Sequence, residues 1–229
     1  PCLGVVMPVF NEKNTIGQVA AMVLKQRPVQ ELIIVDDAST DGTTEIVRGL
    51  EEEHACVRVL QHETNQGKGA ALRAGFEKAK APYVVVQDAD LEYDPREYHL
   101  LLEPVLGGKA DVVLGSRFIG SGPHRVLYYW HSVGNKLITT LSNIFTDLNL
   151  TDVECCYKLF RRDVLGQLSL RENRFGIEPE IVAKVARLRH RIYEVPVSYH
   201  GRTYREGKKI GWRDGFSAVR CIVRYNLAN

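Results

Sequence analysis

Gln87-Asp88-Ala89-Asp90-Leu91-Glu92 follows the apolar run Tyr83-Val84-Val85-Val86 without a break. In an extended segment alternate side chains point the same way, about 6 to 7 Å apart. Asp88, Asp90 and Glu92 are therefore expected to line one face. Three carboxylates at the end of a buried strand repel one another unless a cation joins them. Such hard oxygen donors suit Mg²⁺ or Mn²⁺ bound together with substrate phosphates. The plainer alternative, a solvated acidic loop, is disfavoured by the buried strand ahead of it.

Two further segments put carboxylates after apolar runs: Pro8-Val9-Phe10-Asn11-Glu12 and Val35-Asp36-Asp37, the latter continuing through Ser39-Thr40-Asp41-Gly42-Thr43. Asp37 is positioned to accept a hydrogen bond from a ribose or a base N–H, whereas Asp41 reads as a helix cap and Asp36 as a turn-orderer. Cations come later in the chain. Gly115-Ser116-Arg117 places a guanidinium after another apolar run, and its fork matches phosphate oxygens. The stretch Tyr199 to Lys209 concentrates Arg and Lys between Gly201 and Gly207, as a loop closing on a departing diphosphate would. Asn65-Gln66-Gly67-Lys68-Gly69-Ala70 lacks the spacing of a phosphate loop and reads as a tight turn that packs the next helix on a sheet.

The elements that must position these residues alternate. Short apolar runs at Leu3–Val9, Glu31–Val35, Val57–Leu60, Tyr83–Val86 and Val112–Leu114 read as buried strands. Between them, Ile16 to Val23, Thr43 to Glu53, Gly69 to Lys80 and Arg96 to Leu106 read as amphipathic helices. This predicts an α/β fold with a Rossmann-like, mostly parallel sheet flanked by helices, and ligands at the C-terminal strand ends. Beyond residue 117 the pattern changes. A long amphipathic stretch runs from Val126 to Phe145, then come a short strand at Cys156–Phe160, helices near Asp163–Leu168 and Ile177–Arg189, a strand at Arg191–Tyr199 and a last helix at Trp212–Leu227. The expected organisation is one domain, with residues 1–117 as its nucleotide half and 118–229 as its acceptor half.

Composition bounds the partners. The formal net charge of +2 is too small to imply nucleic-acid binding, although cations outnumber acids between Arg187 and Arg224. Five cysteines without a CxxC spacing suggest reduced thiols and a cytoplasmic setting. No run approaches the roughly 18 apolar residues that span a bilayer, so any membrane contact is expected to be peripheral, at the cytoplasmic face. Tyr128, Tyr129 and Trp130, with Arg125, His131 and Lys136 nearby, are the residues that would make it. The competing reading packs this helix on the sheet or against a second copy.

Together these motifs resemble those of the inverting family 2 glycosyltransferases with the GT-A fold, among them the polyprenyl-phosphate sugar synthases of the dolichol-phosphate mannose synthase type. Pro8 to Glu12 is similar to the family's PxYNE, Val35 to Thr43 to its VDDxSxDGT, Asp88-Ala89-Asp90 to its DxD, Asp152 to Lys158 to its DxxxGYK, and Arg202 with Gly207 and Lys208 to its late basic loop. The resemblance covers nearly the whole chain. It implies Pro8, Phe10, Glu12, Val35 and Asp37 at the donor nucleotide, Asp88, Ala89 and Asp90 at the sugar diphosphate, and Asp88, Asp90 and Glu92 at a Mg²⁺ or Mn²⁺ ion. Arg117, Arg202 and Lys208 become phosphate contacts. Phe10 stands where tyrosine is common, Glu92 where some synthases carry glutamine, and Cys156 where glycine is common.

The implied reaction moves a hexose, mannose or glucose, from a GDP- or UDP-linked donor to a dolichyl or undecaprenyl phosphate. Arg117, Arg125, His131 and Ser132 are the expected acceptor contacts. A phosphate acceptor needs no strong base; a sugar hydroxyl on a soluble or polysaccharide acceptor, the alternative, does, and Asp152 is then the candidate. A nucleotide-sugar-binding module without turnover is the third reading, disfavoured by the carboxylate array and the basic loop.

Overall fold

The computed structural model describes residues 1–120, 125–126, 128–203 and 212–227. Leu127 and Lys208 lie outside the described residues. In the first half, β1 (Leu3–Val9), β2 (Val29–Asp36), β3 (Val57–Gln61) and β4 (Tyr83–Val86) alternate with α1 (Ile16–Leu24), α2 (Thr43–Glu53), α3 (Lys68–Lys78) and, after a 3₁₀ turn at Pro95–Glu97, α4 (Tyr98–Leu106). Each helix exists because one stripe of it is apolar. In α1 that stripe is Ile16, Val19, Ala20 and Val23, all buried, the i, i+3, i+4, i+7 spacing of one helix face.

The second half adds β5 (Val112–Ser116), α5 (Tyr129–Thr146), β6 (Lys158–Arg161), α6 (Arg162–Leu165), α7 (Ile177–Arg187), β7 (Ile192–Pro196) and α8 (Trp212–Leu227). Both halves share one seven-stranded sheet of order β3-β2-β1-β4-β6-β5-β7. Pairing is parallel except at β6, which runs antiparallel to both β4 and β5. From β1 the chain builds outward to β2 and β3, then returns to put β4 on the other side of β1. That reversal opens a crevice beyond the C-terminal ends of β1 and β4, where α/β sheets bind ligands.

Boundaries differ from the sequence expectation mainly in this second half. The strand expected at Cys156 starts at Lys158, because Asp152 to Tyr157 forms a compact turn. Lys158 is buried, and its ammonium donates to the carbonyls of Val153 and Cys155, so a cation closes this turn from inside. The helix expected from Val126 starts at Tyr129. The side chains α5 buries most deeply are Thr139 and Ser142, while Tyr129, Trp130, Leu137 and Ile144 are exposed. Among the described residues no helix is long and apolar enough to cross a membrane.

Candidate active site

The crevice is a cavity of about 400 Å³. β1 supplies Pro8 and, just past its end, Phe10 and Glu12; the turn after β2 supplies Asp37; the segment after β4 supplies Asp88, Ala89, Asp90 and Glu92. Arg202, more than a hundred residues further on, completes the wall. Phe10 is 38% exposed at the mouth. Val35 does not line the cavity; it is fully buried inside β2.

Arg202 knits the carboxylates together. Its guanidinium donates to Glu12 Oε1 at 3.1 Å and to Asp90 Oδ2 at 2.6 Å, and its Nε stands 3.6 Å from Glu92 Oε1. Its backbone N–H donates to Glu92 Oε1 at 2.6 Å, and the Tyr199 hydroxyl donates to Glu92 Oε2 at 3.0 Å. Asp88 is held separately, by Lys68 Nζ at 2.8 Å, which also reaches Glu178 Oε1 at 2.8 Å. The carboxylates that sequence spacing puts on one face therefore share the cavity while pairing with two different cations. Among the described residues no three His, Cys, Asp or Glu side chains converge to form a metal cage.

Even so, the donor set fits a divalent ion, because Mg²⁺ and Mn²⁺ in phosphate sites need only one or two carboxylates beside substrate oxygens. Burial first, then the charges of Asp88 and Glu92, push the Asp90 carboxyl up to about 7 despite Arg202. A buried carboxylate beside two others is the electrostatic setting in which added positive charge is stabilising. Asp90 and Glu92 are the residues that would hold such an ion, with Asp88 beside them.

Asp37 is buried and works as an anchor: it accepts from Gln66 N and His62 Nδ1 on Oδ1, at 2.9 and 2.7 Å, and from Gly67 N on Oδ2 at 2.7 Å. The Asn65-to-Ala70 turn thus hangs from the end of β2. Gly67 has φ +99, and a Cβ there would stand 2.5 Å from the carbonyl oxygen of Asn173. The glycine is required for both reasons, since it lets the segment 172–175 lie directly on the turn, with Ala70 N donating to Asn173 O at 3.1 Å. Asp41, by contrast, accepts from Thr43 N at 3.0 Å and Lys13 N at 3.1 Å at the start of α2.

Sequence reasoning missed Lys68, Arg174, Phe175 and Tyr199, all on the cavity wall. Lys68 carried a signal, a cation between two glycines. Burial works against its charge, but Asp88, Cys156 and Glu178 raise its pKa well above the usual lysine value. Arg174 and Phe175 had no local signal, since only the packing of their segment on Gly67 brings them to the site.

The residues read as acceptor contacts lie to one side of this cavity. Arg117 grips Asp152 in a two-pronged pair, Nε to Oδ2 at 2.6 Å and Nη2 to Oδ1 at 2.7 Å, and Nη2 also reaches Asn135 Oδ1 at 3.1 Å on α5. Asp152 is 1% exposed, and neither partner lines the cavity. Arg125 donates to the carbonyl of Gly201 at 2.9 Å, next to Arg202. His131 and Ser132 are exposed on the first turn of α5. The structure so divides the expected site into a cavity and a flank, joined through Arg117, Asn135 and the chain around Gly201.

Residues 4–169 match the family model for glycosyl transferase family 2. The chain is 30% identical over 233 residues to an undecaprenyl-phosphate mannosyltransferase of Micrococcus luteus, covering 97% of this chain and 93% of that protein. It is 28% identical over 207 residues to a dodecaprenyl-phosphate galacturonate synthase of Rhizobium johnstonii, covering 88% of this chain and 60% of that one. In fold it is similar to glucosyl-3-phosphoglycerate synthase of Mycobacterium tuberculosis, solved with Mn²⁺, UDP and phosphoglyceric acid, at a TM-score of 0.76 and 19% identity over 100% of this chain and 79% of that one. With the motif order, the strand-end cavity and these similarities in agreement, the chain belongs to glycosyl transferase family 2 and is a glycosyltransferase of GT-A fold.

Proposed function

We propose that the protein transfers a hexose, mannose or glucose, from a GDP- or UDP-linked donor to a polyprenyl phosphate, with inversion at the anomeric carbon. The observation that carries this reading is the convergence of Phe10, the Asp88–Glu92 carboxylates and Arg202 on one strand-end cavity. The names of the Micrococcus and Rhizobium relatives support the acceptor class.

Phe10 and the turn anchored by Asp37 receive the nucleoside. Asp90 and Glu92, with Asp88, would hold Mg²⁺ or Mn²⁺, which would supply positive charge to the diphosphate when bound. Arg202 already sits on these carboxylates and supplies a guanidinium to the leaving group as its charge grows; Lys208 is assigned to the same task. The attacking oxygen belongs to a phosphate ionised at neutral pH, so no side chain has to remove a proton. The buried Arg117–Asp152 pair agrees with that, since a carboxylate enclosed by a guanidinium is poorly placed to take one. In this reading Arg117 acts by fixing the flank, and Arg125, His131 and Ser132 meet the acceptor phosphate. The protein works in the cytoplasm at the membrane face where such an acceptor resides.

A matrix of GDP- and UDP-linked mannose and glucose against a water-soluble short-chain polyprenyl phosphate, with Mg²⁺ or Mn²⁺, tests the proposal. A glycosyl phosphate product of inverted configuration is expected. Transfer to a sugar hydroxyl with none to phosphate overturns the acceptor assignment. Arg202→Ala is expected to lower kcat more than it raises the donor KM, and the opposite split would place Arg202 in ground-state binding.

A further inference from the structure

Among the described residues three cations line the cavity, Lys68, Arg174 and Arg202, and two of them are already engaged. Lys68 is divided between Asp88 and Glu178, and Arg202 is held by Glu12, Asp90 and Glu92. The Arg174 side chain is exposed and pairs with no carboxylate among the described residues. A diphosphate entering here can draw on Lys68 or Arg202 only by loosening a partly buried ion pair, which leaves a carboxylate uncompensated. Arg174 can turn its fork to phosphate oxygens without breaking any pair.

The backbone beneath this cation is fixed from two sides. On one side, the Arg73 guanidinium donates to the Glu172 carbonyl and to Asn173 Oδ1 at 2.7 Å, and Ala70 N donates to Asn173 O at 3.1 Å. On the other, the buried Glu172 carboxylate accepts from the Tyr225 hydroxyl at 2.8 Å and from Arg220 Nη2 at 3.0 Å, both on α8. The Glu172 N–H donates in turn to Glu180 Oε2 at 2.7 Å, on α7. Gly176 lets α8 come this close, because a Cβ there would collide with Cys221 Sγ. With the chain held so, less entropy remains to be lost when the arginine takes a ligand.

We infer that Arg174 is a further donor-binding residue, a guanidinium for the nucleoside diphosphate, and that Glu172 is the positioning residue that sets it against the cavity. The side of the cavity on which it stands selects the donor's phosphates over the acceptor's. Its stem lies on the turn hung from Asp37, with Cγ 2.8 Å from where a Cβ of Gly67 would be, whereas Arg117 and Asp152 form the opposite flank. Through Glu172, α8 braces the wall that meets the donor. The inference rests on the proposed nucleotide donor and is independent of the acceptor class.

Binding of GDP and UDP in the presence of Mg²⁺, each compared with its nucleoside, tests the inference. Arg174→Ala is expected to weaken whichever diphosphate wild type binds by about tenfold or more and to leave the nucleoside unchanged, while Arg174→Lys recovers part of the loss. Glu172→Gln should weaken the diphosphate by less in the wild-type background and add nothing in the Arg174→Ala background, because a positioning residue acts through the group it positions. Tyr225→Phe, which removes one bond to Glu172, serves if Glu172→Gln melts below wild type. Arg174→Ala binding the diphosphate as wild type does, or losing nucleoside in parallel, overturns the assignment of Arg174. A full further loss from Glu172→Gln beside Arg174→Ala overturns the role of Glu172. In turnover, Arg174→Ala should raise the donor KM and leave that of short-chain polyprenyl phosphate unchanged; the reverse places the arginine on the acceptor phosphate and also overturns the assignment. If wild type binds neither diphosphate, the donor class fails and Arg174's assignment with it. If Arg174→Ala weakens the diphosphate while no polyprenyl phosphate is glycosylated, the assignment stands and the acceptor class fails.

Discussion

Helices α1 and α5 both read as amphipathic, and they are laid down with opposite orientations. α1 buries Ile16, Val19, Ala20 and Val23 against the parallel half of the sheet, whereas α5 buries Thr139 and Ser142 and shows Trp130, Leu137 and Ile144 to the outside. α1 thus puts its apolar side chains into the core, while α5 leaves several of its own on the surface. A periodic apolar stripe establishes that a helix has two faces; it does not establish which one meets the core.

The largest effect expected from separating the halves is chemical. Asp90→Asn should lower transfer at least about a thousandfold, and EDTA should do the same, while thermal unfolding stays at or above the wild-type temperature because a buried, mutually repelled carboxylate has been neutralised. Near wild-type rates after both treatments would remove the metal from the strand-end cavity.

Stability should then divide the two helices directly. Ile16→Ala is expected to cost about 2 to 5 kcal/mol in urea unfolding, as a large-to-small change in a closed core. Leu137→Ala should stay within about 0.5 kcal/mol, as an exposed substitution. Equal losses at both positions would mean that α5 is covered in solution.

A smaller effect is expected where the halves touch. Gly69 faces the carbonyl of Glu172 so closely that any Cβ must displace segment 172–175, which carries Arg174 and Phe175 to the cavity. Gly69→Ala should cost about 1 to 3 kcal/mol and raise the donor KM. An unchanged KM with lowered stability would show that the segment scaffolds the site without meeting the donor.

The smallest effect concerns acid. Hydrogen bonds from the Arg191 side chain, then its backbone N–H and the charges of Arg191 and Arg161, hold Asp111 well below the usual carboxylate range. A carboxylate with a depressed folded pKa stabilises the protein above its unfolded value, about 3.9, and that contribution fades as pH falls through the folded value. Melting temperatures of wild type and Asp111→Asn should therefore differ at pH 7 and draw together only as pH falls below about 4. A gap that closes on the alkaline side instead would contradict the pairing at this junction of β5 and β7.

Much of the first half, residues 1–117, was legible because its signals are local. Buried parallel strands read as unbroken apolar runs, and β4 begins and ends where Tyr83-Val84-Val85-Val86 does. The carboxylates after β1, β2 and β4 were visible for the same reason: a strand end is a local event, and the crossover rule gathers such ends on one edge. The second half was less legible. Nothing near Lys158 announces that β6 enters the sheet reversed, and the Asp152-to-Tyr157 turn that delays it is closed by a buried ammonium whose sequence context looks like a surface lysine.

By itself, then, the sequence determined the α/β alternation, the order of the motifs and the carboxylates at the strand ends, since these follow from period, propensity and neighbouring residues. Tertiary structure alone decided which cation each carboxylate meets, Lys68 for Asp88 and Arg202 for Glu12, Asp90 and Glu92. It decided that Arg174 and Phe175 reach the cavity, that Arg117 closes on Asp152, and that α5 faces outward with its apolar side. The physical reason is range. Backbone preference and periodicity act over a few residues, whereas ion pairing and burial depend on distances in space between segments as much as 190 residues apart in the chain, as Glu12 and Arg202 are.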